Sequence, residues 1–354
     1  MSDMSPLPVP LSVLDLAPVG QGSSPAEALR NSLALVPHVE RLGFRRYWVA
    51  EHHNMPGIAS SSPAVLLAHL ASVSSTIRLG SGGVMLPNHA ALTVAEQFGM
   101  LEALHPDRID LGIGRAPGTD QLTARALRRS TRPEAVDEFP NQLVELIGYF
   151  DGTWPDDHPY RHITAVPAQG YRPELWLLGS SDYSAREAGA RGWPFSFAHH
   201  FAPANTLPAL AAYRSAFRPV GHLEDPYAML GVSVVVADTD EQARWLAGPS
   251  ALAFLRLRSG RPGRYPTPEE AAEYTFTPHE REIIKAWTGS HIVGSPDTVR
   301  ARLDDLLART GADELMVTTM VHGHADRLHS YDLLATLAGL EPTEPSLSGA
   351  ASSV

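Results

Sequence analysis

Four stretches of the sequence carry side chains whose types and spacing could do chemistry. Glu51-His52-His53-Asn54 sets two imidazoles beside a carboxylate, and imidazole is the side chain that trades protons near neutral pH. Neighbouring side chains of an extended chain point to opposite faces, so one histidine of the pair faces a shared pocket more easily than the other. Gly80-Ser81-Gly82-Gly83, with Val84 and Met85 behind it, is backbone largely free of side chains. Such backbone lets a flat ligand lie against the main chain, or lets a sheet bend sharply. Arg115 follows Gly112-Ile113-Gly114, a cation among glycines that suits a phosphate or another anion. Gly179-Ser180-Ser181-Asp182-Tyr183-Ser184 runs straight into a helical pattern. Unpaired N–H groups at a helix start, joined by hydroxyls, hold phosphate well, and the same residues serve equally as helix caps.

Two other chemistries are weighed against these. The run from Gly112 to Gly118 is not a dinucleotide fingerprint, because Pro117 stands where a third glycine is required and no acidic residue closes a βαβ unit. Metal binding is suggested by 16 histidines, with His199-His200 and His322-Gly323-His324 closely set. Metal-dependent hydrolase barrels carry such a pair on their first strand, with further ligands later. Here the first strand ends Leu14-Asp15-Leu16, so no metal ligand is assigned and that class stays a distant alternative.

Each reactive stretch follows a short apolar run, and those runs define the scaffold. Strand-like segments fall at residues 11–16, 46–50, 77–80, 109–113, 175–178, 195–198, 229–237 and 314–319. Helical patterns separate them: from Pro25 with Ser24 as cap, then 63–74, 93–104, 121–150, 184–191 and 203–217. Strands alternating with helices build a parallel sheet, and a count of eight favours a closed (β/α)8 TIM barrel over an open doubly wound sheet. An elaborated connection between the seventh and eighth strands holds helical patterns at 240–258, 269–287 and 296–309. Its Gly/Pro-rich middle, 258–264, reads as a hinge, a lid or a plain surface loop. Residues 1–340 form a single domain on this reading, and the Pro/Ser/Ala-rich 341–354 is expected to be a disordered tail.

Composition excludes several classes. The 354 residues include 28 basic and 39 acidic side chains, a net charge of −11 that repels nucleic acid, and no basic run offsets it. With 44% hydrophobic against 19% charged residues the chain can build a large core. The absence of cysteine rules out disulfides, thiolate catalysis and iron–sulfur clusters. The first ten residues carry no secretory pattern, and no run approaches the ~18 apolar residues needed to span a bilayer. The reading is a cytoplasmic protein without membrane or nucleic-acid partners.

Taken in order, Val49-Ala50-Glu51-His52-His53, Gly80 to Pro87, Arg108 to Arg115 and Leu178-Gly179-Ser180-Ser181 resemble the bacterial luciferase-like family of flavin-dependent monooxygenases. The likeness runs from about Leu11 to Leu337 and is greatest to the single-chain bacterial branch, with its Leu14 to Pro18 start and Gly114 to Asp120 run. The resemblance implies a TIM-like barrel that binds FMN at its carboxyl-end mouth and oxygenates a small organic substrate with O2 through a flavin C4a-(hydro)peroxide. On the matching positions, Arg115, Ser180, Ser181 and Ser184 would hold the flavin phosphate. Gly82 and Gly83, where the family has a cis peptide, would lie beside the isoalloxazine ring, with Met85 in the same stretch. His52 matches the catalytic histidine, with His53 as its neighbour. Asn54, His199 and His200 are substrate-contact candidates. Relatives take reduced FMN from a separate NAD(P)H:flavin reductase and form homodimers, here through the helices at 63–74 and 93–104. The family also holds F420-dependent oxidoreductases, and a flavin-binding protein without turnover is a further alternative. Ser180 replaces a carboxylate of luciferase itself, which leaves the phosphate site more neutral, and Gly114 replaces its reactive cysteine, so light emission from a long-chain aldehyde does not follow from the likeness.

Overall fold

A computed structural model of the chain describes residues 5–116, 118–127 and 138–343. Among them are ten strands: β1 (Leu11–Asp15), β2 (Arg46–Val49), β3 (Arg78–Ser81), β4 (Val84–Met85), β5 (Ile109–Gly114), β6 (Glu174–Gly179), β7 (Phe195–Phe197), β8 (Ala228–Val236), β9 (Ile292–Gly294) and β10 (Glu314–Thr318). The helices are α1 (Pro25–Arg41), α2 (Pro63–Ala71), α3 (Ala91–Leu104), α4 (Gln121–Ala126), α5 (Phe139–Asp151) and α6 (Asp182–Ala190). They continue with α7 (Thr206–Ala216), α8 (Asp240–Arg258), α9 (Pro268–Glu273), α10 (Pro278–Thr288), α11 (Pro296–Thr310) and α12 (His324–Ala338).

Strands β1, β2, β3, β5, β6, β7, β8 and β10 pair in parallel in that order, and β10 closes the ring onto β1. This is the closed (β/α)8 barrel, with one strand at each of the eight apolar runs. Two small strands were not readable from the sequence. β4 adds to the end of β5 through Val84 opposite Ile113, and β9 lies beside the end of β8 through Ile292 opposite Val234. Two to three residues are too few for a period to register. Of the expected helix at 121–150, α4 closes at the Leu127 cap and α5 starts at Phe139, and residues 128–137 lie outside the described residues. That at 269–287 breaks at Thr277, which caps α10 through a reciprocal capping box with Glu280. Residues 344–354 of the tail, like Pro117, lie outside the described residues.

Strand alternation stacks the inward side chains in layers. At the amino-terminal end Arg46, 2% exposed, donates to Asp110 at 2.9 Å, Glu174 at 3.2 Å and Glu314 at 3.2 Å. Above it Leu14, Trp48, Trp176, Met229 and Met316 form their own apolar cluster, with the two indoles edge to face at 5.2 Å. Outward residues such as Val13, Tyr47, Leu79, Leu111 and Val317 belong to the larger core beneath the helices. The barrel is thus filled from its amino-terminal end to mid-height. The carboxyl-end mouth above this filling is where a barrel of this kind holds its ligand.

Across that mouth runs the strap between β8 and β9. Tyr265, 5% exposed, accepts from Gln21 N and donates from its own N–H to Val19 O, both at 2.8 Å. Its hydroxyl donates to Met320 O at 2.8 Å. The middle of the strap, 258–264, is mostly exposed and stands beside Gly57 on the loop after β2.

Candidate active site

The loop after β2 is organised by Glu51, which is fully buried. Its Oε1 accepts from His53 Nε2 and His89 Nε2, each at 2.9 Å, and from Asn88 Nδ2 at 3.3 Å. Its Oε2 accepts from Met85 N at 2.9 Å. Burial alone would raise the pKa of this carboxyl. The bonds from His89, His53 and the Met85 N–H outweigh it and hold the group below the ordinary carboxylate range. Glu51 therefore ties the loop after β3 to the end of β2. Within that loop the Gly82–Gly83 peptide bond is cis, and Met85 lays its sulfur over Gly114, where an added Cβ would stand 2.9 Å away.

The two histidines separate as strand geometry requires. His53 is held on Glu51. His52 donates its backbone N–H to Ser60 O at 3.0 Å, and its Nδ1 is buried with no protein partner. Burial lowers the His52 pKa to about 4, so its imidazole is neutral at pH 7.

The expected phosphate residues come together at α6. Ser181 is the N-cap, extended at φ −143° and ψ 175°, and its side chain makes no capping bond. Ser184 is 5% exposed and lies against Gly179. The Arg115 guanidinium stacks 4.0 Å above the Tyr183 ring in the first turn of α6. A cation, serine hydroxyls and the N–H groups of an uncapped helix start thus meet at adjacent strand ends. The Ser180 carbonyl accepts from Asn205 Nδ2 at 3.4 Å. This donor set fits a phosphate monoester.

The substrate candidates divide. Asn54, exposed at φ +55°, donates Nδ2 to Asp120 Oδ2 at 2.9 Å and so fastens the loop to the start of α4. His199 binds Thr206 Oγ1 through Nδ1 at 2.7 Å, which commits that ring nitrogen to α7. His200 donates Nδ1 to Gly231 O at 2.8 Å, with its ring over Gly231, where an added Cβ would be 2.9 Å from it. Burial lowers the His200 pKa to about 4. His322 binds Gln21 O through Nε2 at 2.9 Å. No group of three or more His, Cys, Asp or Glu among the described residues is arranged to hold a metal ion.

Sequence reasoning gave no role to Glu51, His89, His291 or Thr318. His89 lies 38 residues from Glu51, so only the fold joins them. Thr318 was within reach, because counting alternate residues along β10 from Glu314 through Met316 puts it on the inner wall.

The luciferase-like monooxygenase family profile matches residues 9–314. The Bacillus subtilis protein YvbT is 50% identical over 92% of this chain and 95% of its own length. A luciferase-like monooxygenase of Escherichia coli is 45% identical over 92% and 96%, and an N-acetyl-S-alkylcysteine monooxygenase of B. subtilis is 35% identical over 92% and 97%. The solved structure of apo-MsnO8 superimposes with a TM-score of 0.83 at 38% identity, covering 95% of this chain and 100% of that one. The fold alone is shared with an FMN-bound diketocamphane monooxygenase component of Pseudomonas putida, at 19% identity, 95% and 100% coverage and a TM-score of 0.71. It is likewise shared with an F420-dependent secondary alcohol dehydrogenase, at 12% identity, 93% and 99% coverage and a TM-score of 0.67. The chain belongs to the luciferase-like monooxygenase family.

Proposed function

We propose that this enzyme uses reduced FMN and O2 to oxygenate a small organic substrate at the barrel mouth. The observation that carries the cofactor assignment is the stacking of Arg115 on Tyr183 at the uncapped start of α6. Arg115, Ser180, Ser181 and Ser184 would hold the phosphate, and Gly82, Gly83 and Met85 would line the ring. When bound, the reduced flavin supplies the electrons that activate O2. The chain supplies orientation, a mouth strapped by the 258–267 segment, and a proton at His52 Nδ1. That nitrogen is buried and unengaged, and a neutral imidazole takes up or passes on a proton there. The monooxygenase activity named for the 35%-identical relative supports the reaction class. No dinucleotide fingerprint is present, so the reading includes a separate NAD(P)H:flavin reductase. It also includes a homodimer through α2 and α3, and a cytoplasmic setting.

Reconstitution tests the cofactor. FMN should bind with quenching of its fluorescence, and Arg115→Ala should weaken it roughly 10- to 100-fold, the loss expected for a charge-assisted bond. Tight binding of F420 with none of FMN would move the protein to the F420 branch. FMN binding without O2 consumption when reduced FMN and candidate substrates are supplied would leave a flavin carrier. NADH oxidation by the chain with FMN alone would remove the reductase.

A further inference from the structure

Thr318 is the last inward residue of β10. Glu314 and Met316, four and two residues before it, join the ion network and the apolar cluster inside the barrel, and alternation directs Thr318 to the same side. It is 5% exposed, and its hydroxyl has no hydrogen-bond partner among the described residues. A buried hydroxyl left unmatched is costly, on the order of 1–3 kcal/mol, so such an atom marks a place where a ligand group bonds. Register places Thr318 beside Ser233 of β8, and Met316 opposite Gly231. The His200 ring covers that same Gly231. His200 therefore covers the inward layer just below Thr318, on the same wall of the mouth. Because His200 gives its Nδ1 proton to Gly231 O, its Nε2 is left as an acceptor. Thr318 can both donate and accept.

The surroundings restrict what such a pair can take. Burial lowers the pKa values of His52, His200 and His291 to about 4, which keeps all three neutral at pH 7. Glu51 has its oxygens filled by its own loops. An unpaired ionic head would enter at a heavy desolvation cost. Beside His291, whose ring meets Trp287 edge-on at 4.3 Å, Trp287 stacks flat on Phe254 at 4.1 Å. Helices α8 and α10 thus bring an aromatic surface to His291, which interacts with His200.

We propose that His200 and Thr318 form the polar end of the substrate subsite, and that it takes an uncharged molecule with an amide head and an apolar body. The amide N–H donates to His200 Nε2 and its carbonyl accepts from Thr318 Oγ1. This rests on the oxygenase reading above, and the test keeps the two apart. In the FMN-loaded protein, benzamide should bind and raise Tm while benzoate, equal in size but anionic, should not. Thr318→Val should weaken benzamide roughly 3- to 10-fold, the worth of one neutral hydrogen bond, with FMN affinity unchanged, and Thr318→Ser should restore it. His200→Gln, whose amide can also accept, should retain part of the binding if Thr318→Val proves unfolded. Equal response to benzoate, absence of benzamide binding, or indifference to Thr318→Val overturns the subsite while leaving FMN binding intact. Failure of FMN itself to bind overturns the parent reading instead.

Discussion

At the scale of residues, the mouth is a set of histidines whose roles are fixed by what each ring nitrogen touches. His53 and His89 share one oxygen of Glu51, whereas His52 keeps a buried nitrogen for the reaction. His52→Ala should therefore bind FMN normally and lose at least about tenfold in substrate oxygenation, within the range for a removed proton-transfer group. Single-turnover oxygenation unchanged in that variant would end the assignment. The neutral rings also predict a pH dependence. In the unfolded chain each histidine titrates near its ordinary value of 6.5, and in the fold burial brings His52, His200 and His291 down to about 4. Between those values the unfolded state binds the extra protons, so stability is full above pH 6.5 and falls as pH drops toward 4. Each histidine contributes a slope of about 1.4 kcal/mol per pH unit in that window. His291→Gln should flatten the fall by one such share in denaturant titrations across the range, and a parallel curve would contradict the shift. Residue-level roles were partly legible beforehand. The Glu-His-His triplet announced proton chemistry, but which imidazole stays free depends on His89, which no local pattern joins to Glu51.

At the scale of elements, legibility followed burial pattern. All eight barrel strands were readable because a strand covered on both faces becomes a continuous apolar run, as Met229 to Ala237 shows. β4 and β9 escaped because they are held by neighbours rather than by their own pattern. The break between α9 and α10 was written in Thr277-Pro278-His279-Glu280 as a capping box and a first-turn proline, a signal outweighed by the apolar residues on either side. The strap was visible only as a Gly/Pro-rich run. Its anchorage centres on one residue, Tyr265, whose backbone bonds to Val19 and Gln21 and whose buried side chain donates its hydroxyl to Met320 O. The exposed stretch before it carries Arg258 and Arg264, which are trypsin sites, whereas Pro262 protects the bond after Arg261. Cleavage there requires local release of the strap. Tyr265→Ala removes a buried aromatic ring and a hydrogen bond, and tryptic nicking within 258–264 should accelerate roughly tenfold or more while far-UV circular dichroism is unchanged. An unchanged rate would show that the strap is held by something other than Tyr265.

At the scale of the molecule, the ion network and apolar cluster close one end of the barrel, the strap covers the other, and α2 and α3 are left with apolar side chains in water. Val65 is 59% exposed on α2, while Met100 and Leu104, one helical turn apart on α3, are 53% and 68% exposed. An isolated exposed aliphatic side chain is ordinary, but α2 and α3 pack side by side, so these three fall on neighbouring helix faces. A self-complementary two-fold contact through this face is the arrangement a homodimer would use. The net charge of −11 makes two copies repel at long range, so such a dimer must be held by apolar burial and should tighten as salt screens the repulsion. Leu104→Glu puts a carboxylate at the most exposed of these three positions and leaves the barrel interior untouched. Light scattering coupled to size exclusion should then give twice the 38.2 kDa chain mass for the unaltered protein and a single chain mass for the variant. A monomer for the unaltered protein, or a dimer that survives Leu104→Glu and weakens as salt is raised, would place the contact elsewhere and leave this face without a partner.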